Sequence, residues 1–274
     1  MKKICHLIIL ISLFAIVGCE NGTEFRFEPK LVINGELRAG HTIDSVFVSW
    51  SSDIRDRYDT FAQLVHNAEI TLNGVALREY PNRWGVYFYP DRSYRVESGR
   101  QYKLVVRAGG ETAEATTTVP APFSFLPIGV NDGDTVQYIP GDSWFSDAFF
   151  LLDWSKSGER PIVRITCKAL TPTPQNFIED DRDEAIMFKG EKEDRVNPSI
   201  WWYGGTYARI NWMYFNWRGW HTIVAAATDS NYYKYRQGLL MGVQNGQNFN
   251  NVVKNGYGLF YSSAADTLHI YLKY

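Results

Sequence analysis

Short runs of β-branched and aromatic residues, each closed by glycine or asparagine, recur through the first half of the chain. Their spacing is typical of a β-sandwich, in which short strands alternate with tight turns. Two dipeptides, Asn73-Gly74 and Gly109-Gly110, suit hairpins, because a type I′ turn needs positive φ at both central residues. The pattern predicts a β-sandwich over residues 29–120. Its strand-like runs are residues 31–33, 46–48, 70–72, 86–88, 104–106 and 115–119.

A change of rhythm after this region indicates a second domain. The alternating prolines of Val119-Pro120-Ala121-Pro122 withdraw backbone donors from any strand ladder and favour an extended linker. We therefore predict a second, β-rich domain over residues 123–274, so that the whole chain is an all-β protein with one or two short helices. Alternating βαβ units are not visible, and a nucleotide-binding parallel sheet is not expected.

Strand patterns continue in the second half around one predicted helix. Two runs, residues 149–154 and 162–167, are predicted to pair as a hairpin. Asp229-Ser230 can satisfy the free amide groups of a helix start, and we predict a helix from there to about Met241, ended by Gly242. The other predicted strands are residues 208–217 and 222–227, then a closing pair at residues 256–260 and 268–272.

The start of the chain has the pattern of a bacterial lipoprotein signal. Lys2 and Lys3 precede an apolar run over residues 7–17 that stops at Gly18-Cys19. The run is about eleven residues long, whereas a transmembrane helix needs about twenty. We therefore predict a cleaved signal peptide over residues 1–18, lipidation of Cys19, and a tether over residues 19–28. Several acyl chains on Cys19 would hold the protein stably on a bilayer.

Charge and cysteine content argue against a nucleic-acid-binding protein and against a protein stabilised by internal disulfides. Loss of Lys2 and Lys3 with the leader changes the formal net charge from -2 to -4, which leaves no basic footprint for a nucleic acid. Cys5 leaves with the leader and Cys19 takes the lipid, so no internal disulfide can form. The remaining Cys167 falls in an apolar strand pattern, and we interpret it as a small buried hydrophobic residue.

Aromatic residues are concentrated in one window of the second half. Five of the nine tryptophans fall within residues 201–220. Aromatic rings bury a large area at low entropy cost and stack on sugars, which suits a binding surface. Three interpretations stay open: core packing, contact with a protein partner, and a platform for a glycan or another small ligand. The candidate binding residues are Trp201, Trp202, Tyr203, Tyr207, Trp217 and Trp220.

Catalytic and metal-binding signatures are weak. The segment at residues 141–145 lacks the second glycine of a nucleophile elbow, and the histidines lack the i, i+4 spacing of a zinc helix. We interpret the acidic residues 179–184 as a solvated loop and residues 131–134 as a turn, rather than as calcium ligands. We expect no enzyme activity, catalytic residue, metal or cofactor. An unrecognised hydrolase stays an alternative, because carboxylates such as Asp142 and Asp153 can converge in space.

An ordered set of motifs resembles one protein family. The motifs are the lipobox cysteine Cys19 and residues 31–37, 67–72, 99–104, 229–236 and 255–260. In this order they resemble the Bacteroidota lipoproteins of domain of unknown function family 4249, over nearly the whole mature chain. The resemblance implies an immunoglobulin-like or transthyretin-like first domain and an outer-membrane lipoprotein, often encoded beside a TonB-dependent transporter. It implies no known reaction and no catalytic residues.

These observations lead to one expected function and two alternatives. We expect a non-catalytic outer-membrane lipoprotein that serves as an accessory or ligand-handling partner of a TonB-dependent transporter, with a glycan or peptide as the candidate ligand. The alternatives are a structural or adhesive surface module that binds a glycan or other cell-surface polymer, and an unrecognised hydrolase. The membrane face, cell surface or periplasm, stays open because the chain lacks a dense acidic run directly after Cys19, with only Glu20 and Glu24 nearby.

Overall fold

The structure, a computed structural model, describes residues 27–57, 59–137, 149–157, 162–178, 197–211, 215–245 and 251–273. Within these ranges the chain consists mainly of β-strands arranged in several sheets, with one α-helix. The all-β prediction is therefore confirmed. The predicted signal peptide, Cys19 and most of the tether lie outside the described residues.

Seventeen strands and one helix are described, and the numbering below follows their order in the chain. The strands are β1 (Leu31–Arg38), β2 (Val46–Trp50), β3 (Glu69–Leu72), β4 (Val75–Ala76), β5 (Arg78–Tyr80), β6 (Arg83–Phe88), β7 (Gln101–Ala108), β8 (Glu111–Thr118), β9 (Phe125–Gly129), β10 (Thr135–Gln137), β11 (Phe149–Trp154), β12 (Ile162–Ala169), β13 (Ser199–Gly204), β14 (Tyr207–Asn211), β15 (Gly219–Thr228), β16 (Val253–Lys254) and β17 (Tyr257–Lys273). The helix is α1 (Ser230–Asn245), and a short 3-10 turn spans Pro174–Asn176.

These strands form one large sheet and two smaller ones. The large sheet has the order β13-β12-β15-β17-β1-β2-β6-β5, with β10 added beside the end of β17. A five-stranded sheet, β16-β8-β7-β3-β4, packs on its first half, and a three-stranded sheet, β14-β11-β9, packs on its second half. Each pair of facing sheets encloses one apolar core. Ala39, at the end of β1, contacts both cores.

Strand β17 runs through both halves of the large sheet. Its first residues pair in parallel with β1, from Val32 opposite Tyr257 to Arg38 opposite Ser263. Its other edge pairs antiparallel with β15 from Ser263 onwards, and its end pairs in parallel with β10. The prediction of a closing pair of strands was wrong, because residues 257–273 form a single 17-residue strand.

Strand pairing crosses the predicted domain boundary. Strands β16 and β17 belong to the predicted second domain, residues 123–274, yet β16 pairs with β8 and β17 pairs with β1. Val253 and Phe260 lie in the core of the first sandwich. The two sandwiches therefore share one continuous sheet.

The predictions made from local turn residues agree with the structure more closely than the predictions of strand pairing do. Asn73 and Gly74 have φ of 48° and 83°, and they join β3 to β4 as the hairpin prediction required. Gly109 and Gly110 likewise have positive φ and join β7 to β8. The hairpin predicted between β11 and β12 was wrong, because these two strands belong to different sheets on opposite sides of the second core.

Helix α1 begins where the sequence predicts it. The Asp229 carboxylate accepts a hydrogen bond from the backbone N–H of Tyr232 at 3.1 Å, the usual geometry of a helix N-cap. The helix continues to Asn245, past Gly242, so its predicted end was too early. A single glycine inside a helix costs only about 1 kcal/mol, and neighbouring turns can compensate for that cost.

The pairing of β1 with β17 leads to a prediction about Gly258. Gly258 has a φ of 107°, and a Cβ atom there would lie 2.1 Å from the carbonyl oxygen of Ile33. We expect Gly258→Ala to lower the free energy of unfolding by about 3 kcal/mol or more, because the two strands must separate. Gly40→Ala is the control, since Gly40 also has a positive φ but no atom within 4 Å of the added Cβ. Its cost should be about 1–2 kcal/mol. Urea unfolding followed by tryptophan fluorescence measures both, and equal losses would contradict the steric explanation.

Burial of His221 in the second sandwich predicts a pH dependence of stability. Its Nδ1 donates to the Gly219 carbonyl at 2.9 Å, its Nε2 has no hydrogen-bond partner, and burial lowers its pKa to about 4. His221 binds a proton more readily in the unfolded chain than in the folded protein. The stability that depends on neutral His221 is therefore complete above about pH 6.5 and is lost as the pH falls towards 4.

We expect His221→Gln to flatten this decline, by up to about 3 kcal/mol between pH 6.5 and pH 4, because the amide donates to the same carbonyl without titrating. The exposed His41 gives a control, His41→Gln, that should leave the decline unchanged. Urea unfolding at a series of pH values measures both variants. A decline in His221→Gln as steep as in the parent protein would refute the assignment.

Candidate functional site

One side of the large sheet is left uncovered in the second half of the molecule. Alternate residues of β12 and β15, such as Ile165 and Ala225, point into the second core, whereas their neighbours point the other way. Except at the end that helix α1 covers, where Ala226 is buried, no second layer of described residues covers this opposite side, which we call the open face. Its residues are Ile200 and Trp202 from β13, Arg164, Thr166 and Lys168 from β12, Trp220, Thr222, Val224 and Ala226 from β15, and Ala265, Thr267, His269 and Tyr271 from β17.

The open face carries several large apolar side chains. Ile200 is 51% exposed, Trp220 43% and Tyr271 39%. From the Ala226 row to the Trp220 row the face is about 20 Å long, and it is about 14 Å wide across its four strands. Single exposed apolar residues are ordinary, but three large ones on one uncovered sheet face mark a candidate interaction surface.

Trp220 and Tyr271 form the aromatic end of the open face. They are cross-strand partners on β15 and β17, and their ring centroids lie 5.5 Å apart with an angle of 74° between the planes. This edge-to-face arrangement stabilises both rings in place. It offers ring edges and one ring face, rather than two coplanar faces.

The other end of the open face is closed by helix α1. Trp202 stacks on Tyr232 of the helix, with centroids 4.8 Å apart and planes at 18°, and the Arg236 guanidinium lies 5.1 Å from the Trp202 centroid. Tyr261 of β17 also packs against Tyr232, with ring centroids 5.0 Å apart. A cation over an indole ring adds to the stacking, so this end is rigid.

A charged cluster beneath this stack joins the two sandwiches. The Glu36 carboxylate of β1 accepts hydrogen bonds from Arg164 at 3.3 Å and from the Ser263 hydroxyl at 2.7 Å. Burial alone would raise the pKa of Glu36, but Arg164, Ser263, Arg38 and Tyr261 together outweigh it and lower the pKa. The cluster therefore holds a charged carboxylate where the strands of the two halves meet.

A second polar group, fully buried, fixes the helix to both sandwiches. The Thr117 hydroxyl of β8 donates to Asp229, and it also lies 2.6 Å from the Ser262 hydroxyl of β17. Asn231 donates its side-chain amide to the carbonyls of Thr116 and Phe260. Burial raises the pKa of Asp229 despite the hydrogen bonds it receives. Buried polar networks of this kind specify one arrangement of the elements that they join.

The candidate residues of the aromatic window are distributed over several environments. Trp202 and Trp220 lie on the open face. Tyr203 is partly buried against the second core, and Trp217 is buried against Phe177, with centroids 6.1 Å apart. Both of these placements agree with the core-packing interpretation.

The last two candidate residues lie elsewhere. Tyr207, 56% exposed, lies on β14 in the opposite sheet. Trp201 lies on β13, where its backbone pairs with Ile165, and its side chain is outside the described residues. The window therefore does not form one surface patch.

Sequence reasoning missed several residues of the open face and its closed end. Ile200, Arg164, Tyr232 and Tyr271 come from four separate elements, and only the strand register brings them together. The available signal is the alternation in β15, where Trp220, Val224 and Ala226 make the side that faces away from the core unusually apolar. The matching residues of β12 are polar or charged and give no such signal. Register between distant strands cannot be obtained from such patterns alone.

The structure also places several residues considered for metal binding or catalysis. Residues 131–134 form a turn, in which the Asp134 N–H donates to the Asn131 carbonyl at 3.2 Å. Asp153 lies on β11, while Asp142 and residues 179–184 lie outside the described residues. Across the described ranges, no group of three or more His, Cys, Asp or Glu side chains could hold a metal ion. Cys167 is buried, as predicted, and burial raises its pKa to about 12. In the same ranges, no helix is long and apolar enough to cross a membrane.

Fold and site together define a double β-sandwich protein with an uncovered sheet face. The chain belongs to the family described as Domain of unknown function (DUF4249), which matches residues 20–269. This match confirms the family resemblance stated from the ordered motifs. Comparisons with curated proteins and with solved structures found no match.

The charged cluster leads to a prediction about Arg164. We expect Arg164→Gln to lower the free energy of unfolding by about 1–3 kcal/mol, because Glu36 is left in a largely buried place without its main cation. The control is Lys30→Gln, which breaks a more exposed pair between Lys30 and Glu111, also at 3.3 Å, and should cost less than about 1 kcal/mol.

A double-mutant cycle with Glu36→Gln measures the coupling directly. The Arg164→Gln and Glu36→Gln changes should be clearly non-additive in urea unfolding. Additive losses would show that the two side chains do not interact.

Proposed function

We propose that this protein is a non-catalytic, lipid-anchored outer-membrane protein that serves as an accessory or ligand-handling partner of a TonB-dependent transporter. Its open face is the surface for the protein partner, and the lipid on Cys19 holds it beside that partner. The candidate ligand that the assembly handles is a glycan or a peptide.

The open face is the observation that supports this proposal most directly. It combines large apolar side chains, Ile200 on its edge strand and Trp220 and Tyr271 at one end, with threonines and charged residues between them. Protein interfaces combine apolar contacts and polar groups in this way. Its closed end is held by stacked rings and ion pairs, so little side-chain entropy is lost when a partner binds.

The sequence before residue 27 supports the anchor. The basic start, the short apolar run and the cysteine at its end match a lipoprotein leader, and the family match begins directly after Cys19. Several acyl chains bind a bilayer stably, while a single chain binds only weakly. A partner in the same membrane then meets the open face at high effective concentration.

Adhesion to a glycan is the alternative that the aromatic residues raise. Sugar rings stack on flat aromatic faces, and Tyr207 and Trp220 are exposed enough to offer them. Trp220 meets Tyr271 edge to face, however, and Tyr207 lies in the other sheet. This arrangement favours a protein contact over a sugar platform.

Copurification from the native membrane tests the proposal. The full chain, tagged at its C terminus, is extracted with mild detergent, and we expect a TonB-dependent transporter barrel to be recovered with it. Ile200→Glu should reduce this recovery about tenfold or more, because it places an unpaired charge among the apolar side chains of the interface. Tyr207→Glu, a change of similar exposure in the opposite sheet, should leave the recovery intact.

Four outcomes would count against the proposal. Recovery of the lipidated protein without any transporter would refute the partner, and loss of recovery in Tyr207→Glu alone would refute the choice of surface. Loss of binding to a glycan or to cells, with the transporter complex intact, would favour adhesion. Failure to incorporate labelled palmitate, in a parallel comparison with Cys19→Ser, would refute the anchor.

A further inference from the structure

The first sandwich has one end from which the chain leads back towards Cys19. Phe27, the first described residue, lines a groove together with Trp50 and Gln63. Lys30 and Ser51 exchange backbone and side-chain hydrogen bonds at 2.9 Å, which fixes the start of β1 to the end of β2. We call this end, with the loop that follows β2, the tether end.

Three large apolar side chains are exposed at the tether end. Ile54 is 100% exposed, Phe61 81% and Trp84 57%. Ile54 and Phe61 lie in the loop between β2 and β3, and Trp84 lies beside it on β6, 4.6 Å from the ring of His66. In the described part of the first sandwich, two other large apolar side chains are similarly exposed. Val75 lies in the β3–β4 hairpin near the start of β7, and Tyr257 pairs with Val32 at the tether end itself.

Local hydrogen bonds close the turns that carry two of these side chains. The Asp53 carboxylate accepts the Arg55 N–H at 2.9 Å, which closes a turn around Ile54. The Asp59 carboxylate accepts the Phe61 N–H, also at 2.9 Å. Both exposed apolar side chains therefore lie on turns with a defined local structure.

We propose that the tether end inserts Ile54, Phe61 and Trp84 into the interfacial region of the bilayer that holds the lipid on Cys19. This inference rests on the proposed anchor. Residues 19 to 27 can span at most about 28 Å when fully extended, so the tether end cannot move far from the membrane. Tryptophan is enriched at the boundary between water and lipid. Aliphatic and phenylalanine side chains stabilise shallow insertion of a protein surface into the bilayer.

Apolar contact, rather than charge, is the basis of this insertion. The loop that holds Ile54 and Phe61 contains Asp53, Asp56 and Asp59 as well as two arginines, so it is not a basic patch. Arg55 is already paired with Asp53. Insertion should therefore not require anionic lipid, which separates this surface from an electrostatic membrane site.

Site-directed fluorescence on the lipidated full chain tests the inference. An environment-sensitive thiol probe is attached to Ile54→Cys, to Phe61→Cys and, as a control, to Thr135→Cys. Thr135 is exposed and pairs with Tyr271 near the end of β17, about 45 Å along the strand from Tyr257. Tyr257 pairs with Val32 at the tether end. Cys167 is buried, so the introduced cysteine is the reactive thiol once Cys19 is acylated.

After reconstitution into phosphatidylcholine vesicles, we expect a blue shift of emission and loss of iodide quenching at positions 54 and 61, and neither effect at position 135. Vesicles with added phosphatidylglycerol should give the same result. In a second set, the Ile54→Asp, Phe61→Asp double variant has the probe at Trp84→Cys. It should still float with the vesicles through its lipid while its probe stays quenched by iodide.

The possible results separate this inference from the anchor. Flotation with no emission shift at positions 54 and 61 overturns the insertion and leaves the anchor in place. A shift that appears only with phosphatidylglycerol, or only when a transporter is added, also overturns it, since charge or a protein would then be the partner. Loss of flotation for the full chain, with no palmitate incorporated, overturns the anchor and the insertion together.

Discussion

Backbone hydrogen bonding along both edges of β17 is the interaction on which the rest of the molecule depends. One edge pairs with β1 and then β10, and the other pairs with β15. The strand therefore contributes to both cores, through Phe260 in the first and Leu268 in the second. Neither sandwich can be completed without β17, so the two halves share one sheet rather than forming two separate domains joined by a linker.

This shared strand also explains where the polar groups lie. Ser262 and Ser263 occupy the point where β17 leaves one sandwich and enters the other, and their hydroxyls meet Thr117 on one side of the sheet and Glu36 on the other. Larger apolar residues there would have to fit both cores at once. Small hydroxyl residues instead bind the groups that the two sandwiches and α1 contribute.

The sequence predicted the features that are determined within a few residues. Asn73-Gly74 defines its hairpin because positive φ at both positions is a local requirement, and Asp229 begins α1 because an N-cap needs only the next turn. The positions of the aromatic residues in the window were harder to predict, because rings on neighbouring strands lie in the core, on the surface and in the opposite sheet.

The continuity of β17 could not be predicted for a physical reason. Residues 262–266, with two serines, two alanines and an aspartate, have little intrinsic preference for a strand, and they separate two strongly strand-like runs. Pairing with β15, from Ser263 opposite Thr228 to Asp266 opposite Ala225, supplies the stabilisation that the local sequence lacks. The same long-range register creates the open face, so the site and the missed strand have one origin.

The course of β17 also relates the two surfaces of the molecule. The strand starts beside β1 at the tether end, and the open face begins at Ala265, about 25 Å further along, and ends at Tyr271, about 45 Å along. If the tether end lies in the bilayer interface, as we propose, and β17 leads away from it, the open face lies outside the membrane. On that proposal, a transporter that docks there would have to offer a loop or a domain that extends beyond its membrane-spanning wall in order to reach Trp220 and Tyr271.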